Sequence, residues 1–194
     1  MIKVYDDFLK DSEFKALQSL LLGPHVSWYY NDGITGTETH ADGFQFVHSF
    51  FNITKPFDKT ISNYSAFVLP LLSKLAPKYV LRVKANLRPH TKEHVLSDWH
   101  TDMTLEQKTA ILYVNSNNGY TAFKEGTKVY SQANRLVLFD GHLEHAGTSC
   151  TDEKGRVVLN INYRPSKDAN YPQGGSRFCQ DSASTPLGFA SLRS

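Results

Sequence analysis

The chain reads as a mainly β protein, a jelly roll or double-sheet barrel buttressed by helices on one face. Three observations carry this. Helical periodicity is confined to the first part of the chain. From Pro77 to about Arg164 the apolar pattern changes to short runs of period two. Turn signals at Asn115-Ser116-Asn117-Asn118-Gly119, Lys124-Glu125-Gly126 and Asp152-Glu153-Lys154-Gly155 cut that stretch into hairpin-length pieces. Helices first and short antiparallel strands after is the layout of such a barrel.

Asp11 opens a helix as its capping residue, with Phe14, Leu17, Leu20 and Leu21 on one face and Gly23-Pro24 closing it. Trp28, Tyr29 and Tyr30 precede the turn Asn31-Asp32-Gly33, in a loop able to fold over the barrel mouth, and Phe44 to Phe51 alternates as a strand. Ile61, Tyr64, Phe67, Val68, Leu71 and Leu72 predict a second helix over Lys55 to Leu75, kinked or split at Pro70. In the next strand Leu81, Val83, Ala85 and Leu87 alternate with Arg82, Lys84, Asn86 and Arg88. Further strands are expected at Thr109 to Val114, Tyr120 to Phe123, Thr127 to Tyr130, Arg135 to Phe139 and Arg156 to Tyr163. Residues after Pro165 are rich in Ser, Gly, Pro and Gln.

A length of 194 residues suits one domain, 1–194. Within it, 1–78 forms a helical buttress with the first strands, 79–165 the barrel core, and 166–194 an irregular C-terminal arm. The net charge is +2 and the basic residues form no run, so composition makes no case for a nucleic-acid partner. The start, Met1 to Asp7, is too charged for a secretory segment, and the apolar stretch Ala66 to Leu72 is short and broken by Pro70. A soluble, cytoplasmic protein with no membrane partner is expected. Cys150 and Cys179 are the only cysteines, too few for a disulfide framework and not spaced as a zinc knuckle.

The chemistry lies in His100-Thr101-Asp102 and His145. In an extended segment His100 and Asp102 project to the same side, so one strand end offers two ligands to one ion, and His145 comes from another strand. His142 is the alternative third ligand. Two imidazoles and one carboxylate leave open positions on a non-haem ferrous ion. Parity along the last strand puts Arg156, Val158, Asn160 and Asn162 on one face and Val157, Leu159, Ile161 and Tyr163 on the other. Facing water, Arg156 is an ordinary solvated residue; lining the barrel, it is a buried fork for a carboxylate.

These residues resemble the prolyl-4-hydroxylase-like branch of the 2-oxoglutarate and Fe(II)-dependent oxygenases. The likeness rests on His-X-Asp at His100 and Asp102, the Ile-Leu-Tyr-Val-Asn strand from Ile111 to Asn115, a Leu-Phe-Asp segment before His145, and Arg156 leading Val-Val-Leu-Asn-Ile-Asn-Tyr. It covers about Val80 to Arg164. It implies a double-stranded β-helix in which His100, Asp102 and His145 hold Fe(II). Arg156 then pairs with the distal carboxylate of 2-oxoglutarate, helped by the Tyr113 hydroxyl, with Asn86 as a further contact and Arg164 in reserve. The interval from His145 to Arg156 is slightly longer than in near relatives. The implied reaction consumes O2 and 2-oxoglutarate, releases succinate and CO2, and hydroxylates an unactivated C–H bond of a peptidyl, for example prolyl, or small-molecule substrate. Asp102 favours hydroxylation over halogenation, and ascorbate is the candidate reductant. Trp28, Tyr29, Tyr30 and Trp99 are candidate substrate grips, and Thr91 to Ser97 a candidate lid. Two rival readings are an oxidative nucleic-acid demethylase on the same scaffold, which the near-neutral charge disfavours, and a metal- or sugar-binding barrel without catalysis.

Overall fold

The change of pattern at Pro77 is realised as β5 (Pro77–Pro89), a strand of 13 residues. The computed structural model describes residues 1–34, 43–54, 60–102 and 107–166. Before β5 come β1 (Lys3–Tyr5), α1 (Asp11–Leu22), β2 (Tyr29–Asn31), β3 (Gln45–Asn52), β4 (Thr60–Ile61), a 3-10 turn (Ser65–Val68) and α2 (Leu69–Leu75). After it come β6 (Lys108–Tyr113), β7 (Tyr120–Phe123), β8 (Lys128–Tyr130), β9 (Leu136–Asp140), β10 (His145–Gly147) and β11 (Gly155–Pro165). An eight-stranded antiparallel sheet runs β1-β9-β6-β11-β5-β3-β2, with β4 on β3, and a three-stranded sheet runs β10-β7-β8.

The period-two rows give the large sheet two different faces. On the outer one, Val157, Leu159, Ile161 and Tyr163 of β11 join Val83, Ala85, Ala110 and Leu112 in a core closed by Phe14, Leu17 and Leu21 of α1 and by Leu71 and Leu75 of α2. Burial of each Val, Leu, Ile or Phe among them stabilises the fold by about 1.5–3 kcal/mol. On the inner face Ile111, Tyr113, Val137, Phe139 and Val158 pack against Phe123 and Val129 of the small sheet. The Phe123 and Phe139 rings meet edge-on, 4.9 Å apart. This second core fills one end of the barrel and leaves the polar part of the inner face around a cavity.

Several local expectations are corrected. The helix predicted from Lys55 begins only at the 3-10 turn; β4 pairs Thr60 and Ile61 with Asn52 and Phe51, and 55–59 lie outside the described residues. Pro70 starts α2 rather than splitting it, since a first-turn residue has no N–H bond to lose. Lys10, not Asp11, stands at the N-cap of α1, and its N–H donates to Glu13 Oε2 at 3.3 Å. Tyr29 and Tyr30 belong to β2, the edge strand beside β3. The proposed lid is stitched down instead: Ser149 N donates to Val95 O at 3.0 Å and Ser97 N to Gly147 O at 2.9 Å. The arm from Lys167 onward, Cys179 included, lies outside the described residues. Among the described residues no helix is long and apolar enough to cross a membrane.

Candidate metal centre and its cavity

His100 and His145 are brought together by a two-bond antiparallel bridge, His100 N to His145 O at 3.0 Å and His145 N to His100 O at 2.9 Å. Both side chains therefore leave the same side of the chain, with ring centroids 4.5 Å apart. Each ring is also fixed by its own backbone: His100 Nδ1 lies 3.0 Å from Asp98 O, and His145 Nδ1 lies 3.0 Å from Leu143 O. A carbonyl only accepts, so each neutral ring carries its proton on Nδ1 and keeps the Nε2 lone pair. Asp102 Oδ2 is 3.7 Å from His145 Nε2, and one ligand atom from each of the three side chains falls within 4.8 Å of the others. His142 is exposed and outside this group.

Burial pushes the Asp102 carboxyl upward, but the charges of His145 and Arg82, the Asn160 bond and His100 outweigh it and bring its pKa to about 2. Burial drives the His145 pKa down, against the pull of Asp102, so its imidazole is neutral, the ligand form, at neutral pH. The donor set fits a divalent metal: two aimed imidazole nitrogens and one ionised carboxylate, with the local backbone orienting both rings.

The three residues lie on one wall of a cavity of about 240 Å³. To the same lining β5 and β11 supply Arg82, Lys84, Asn86, Arg88, Arg156 and Asn160. Arg156 is 4% exposed. Its Nε donates to Ser131 Oγ at 2.8 Å and its Nη2 to Thr121 Oγ1 at 3.0 Å, with the guanidinium 5.4 Å from the Tyr113 ring centre. No carboxylate among the described residues pairs with it, and desolvation lowers its pKa. Arg88 is its direct cross-strand partner and equally buried, and Arg88 Nη1 donates to Gly147 O at 2.6 Å. A Cβ on Gly147 would sit 3.4 Å from Arg156 Nη1. Two desolvated cations thus converge beside Gly147, two residues along β10 from His145. Arg156, buried with no carboxylate partner among the described residues, makes this wall receptive to an anion.

Of the residues expected here, the structure brings together His100, Asp102, His145, Asn86 and Arg156. Asn86 lines the cavity and its buried Oδ1 has no hydrogen-bond partner among the described residues. Tyr113 is placed differently. A fully buried hydroxyl must find a partner, and the facing sheet provides it: Tyr113 Oη is 2.8 Å from Thr121 Oγ1 and donates to Val129 O at 3.1 Å. The ring supports Arg156 from beneath and does not line the cavity. Arg164 is exposed, and Trp99, Tyr29 and Tyr30 do not line the cavity either. The polar row Arg82, Lys84, Asn86 and Arg88, readable from period two as a positive cavity lining or a solvated face, lines the cavity; sequence reasoning gave no individual role to Asn160 and Asn162, for which the period-two row of the last strand was the available signal.

No family model matches the chain, and no curated protein matches it in sequence. Solved structures do match its fold. A prolyl-4-hydroxylase from Pseudomonas putida is 15% identical with a TM-score of 0.52, over 85% of this chain and 92% of its own. A prolyl hydroxylase from Trichoplax adhaerens, in complex with a hypoxia inducible factor oxygen degradation domain peptide fragment, is 14% identical with a TM-score of 0.52, over 89% and 87%. HygX from Streptomyces hygroscopicus, with nickel and 2-oxoglutarate bound, is 9% identical with a TM-score of 0.56, over 86% and 83%. At these identities the likeness is one of fold, and the fold is the jelly roll that these oxygenases share.

Proposed function

We propose that the chain is an Fe(II)- and 2-oxoglutarate-dependent dioxygenase that hydroxylates an unactivated C–H bond of a peptidyl or small-molecule substrate. The observation that carries this reading is the pairing, in one cavity, of a His-Asp-His ligand group with a buried guanidinium that has no carboxylate partner among the described residues. The fold supports it, since solved structures of the same fold include one holding nickel with 2-oxoglutarate and one holding a peptide.

In this reading His100, Asp102 and His145 hold the metal, which when bound supplies the positions for keto acid and O2 and the oxidation that yields succinate and CO2. The remaining work belongs to the chain. His145 presents Nε2 without having to shed a proton, and Asp102 arrives already ionised. Arg156 takes the distal carboxylate of 2-oxoglutarate as a bidentate partner, and Arg88 adds a second guanidinium on the same wall. Thr121 and Ser131 hold the Arg156 fork in place, so little ordering remains for the ligand to impose. Asn86 is free to turn its amide N–H to the same carboxylate. Ile111 and Val158 are the apolar part of the lining contributed by β6 and β11. Ascorbate as reductant belongs to the same proposal.

Anaerobic addition of Fe(II) and then 2-oxoglutarate tests it. A weak visible charge-transfer band is expected, lost in His145→Ala. Folded protein that gives no band, or iron-dependent succinate release that survives His145→Ala, overturns the assignment.

A further inference from the structure

Gly147 ends β10 two residues after His145, so a side chain there would leave the strand on the face of that histidine, into the cavity. A glycine in a strand weakens it and calls for a reason: left-handed backbone, a bulge, or the close approach of another group. The first two do not apply. Gly147 is not among the glycines with positive φ, and β10 pairs with β7 in unbroken register, Gly147 opposite Thr121. Nor does a neighbour crowd it. Among the described residues a Cβ would meet one atom within 4 Å, Arg156 Nη1 at 3.4 Å, which is an ordinary contact distance.

That nitrogen is the one the protein leaves over. Arg156 donates through Nε to Ser131 Oγ and through Nη2 to Thr121 Oγ1, and no hydrogen bond among the described residues engages Nη1. A desolvated guanidinium nitrogen with unused N–H groups suits a carboxylate oxygen. The backbone of Gly147 is pinned beside it: its N–H donates to Ser97 Oγ at 3.0 Å, and its carbonyl accepts from Ser97 N at 2.9 Å and from Arg88 Nη1 at 2.6 Å. A methyl group added there would stay against Nη1, in the space from which an oxygen reaches that nitrogen.

We infer that Gly147 is a specificity-determining residue whose missing side chain reserves the place at Arg156 Nη1 for the distal carboxylate of a keto diacid. The inference rests on the keto-acid reading above but not on the identity of the oxidised substrate. It makes this glycine a requirement of the ligand and not of the fold. Replacing it therefore removes the grip on one end of the keto acid and leaves the metal end as it was.

Calorimetric titration of the Mn(II)-loaded chain with 2-oxoglutarate, and with 2-oxobutanoate, which has the same keto-acid end and no distal carboxylate, reads the two ends separately. Gly147→Ala is expected to fold with native thermal midpoint and Mn(II) affinity. It should weaken 2-oxoglutarate binding by more than about tenfold, the loss of one charge-assisted hydrogen bond, and bind 2-oxobutanoate as the native chain does. Added to Arg156→Met, the same substitution should change 2-oxoglutarate affinity little, because the contact it blocks is already gone. Native 2-oxoglutarate affinity in Gly147→Ala, an equal loss for both keto acids, an undiminished effect in Arg156→Met, or a Gly147→Ala chain that does not fold overturns the inference and leaves the dioxygenase reading intact. A native chain that binds Mn(II) but not 2-oxoglutarate overturns both.

Discussion

Leu159 and Asn160 are neighbours in sequence and live in different solvents. Leu159 is sealed between β11 and the helices, whereas Asn160 borders the cavity and bonds Asp102. The same contrast runs the length of the strand. Its outer row is aliphatic and aromatic and does nothing but exclude water; its inner row carries a guanidinium and two carboxamides. The outer face stabilises the sheet whatever the cavity does. The inner face spends stability on a desolvated cation and a buried carboxylate. One strand thus holds the fold with one side and offers chemistry with the other, and the two should be separable by mutation.

The largest effect tests whether the inner face is a metal site at all. Asp102→Ala is expected to weaken Mn(II) or Fe(II) binding by more than about 100-fold, beyond what changes to surrounding residues cost, in titration calorimetry. Native affinity in that variant would sink the metal assignment. Next, Arg156→Met is expected to weaken 2-oxoglutarate binding by about 2–5 kcal/mol, read from the charge-transfer band. The same variant should leave the metal-free protein as stable as before or more so, because an apolar side chain replaces a buried, unpaired charge. A strong loss of stability instead would make Arg156 a structural strut. Leu159→Ala crosses that result: denaturant unfolding should show a loss of about 2–5 kcal/mol, with keto-acid affinity unchanged in whatever remains folded.

Acid gives the smallest separation. The Asp102 pKa is held near 2, below its ordinary 3.8, so its contribution is complete above about pH 4 and is lost as pH falls through about 2. The shift corresponds to about 2 kcal/mol. Thermal unfolding of metal-free protein from pH 5 to 2 should therefore fall more steeply in the native chain than in Asp102→Asn; identical slopes would remove the ion from the account.

Much of this contrast is legible before any coordinates. Strand parity puts Arg156, Asn160 and Asn162 on one side and four apolar residues on the other, because successive side chains of a strand alternate whatever lies around them. Most strands follow for the same reason, and helix α1 follows from the 3.6-residue period of Phe14, Leu17, Leu20 and Leu21. Elements of two or three residues, such as β1, β2 and β4, carry too few side chains to show a period, and only their pairing partners define them. Tyr113 shows the limit at a single side chain. Its place on the inner row follows from parity, but the direction of its hydroxyl depends on Thr121 and Val129, which belong to the other sheet.

His100, Asp102, His145 and Arg156 are identifiable as a set because their chemistry is a matter of residue type and local spacing, and both are written along the chain. That His100 faces His145 across a bridge, that Arg88 stands opposite Arg156, and that Arg82 reaches Asp102 all depend on register between strands distant in sequence. Register is chosen by the sum of many weak burials over both faces of the sheet, and no short stretch of residues contains that sum.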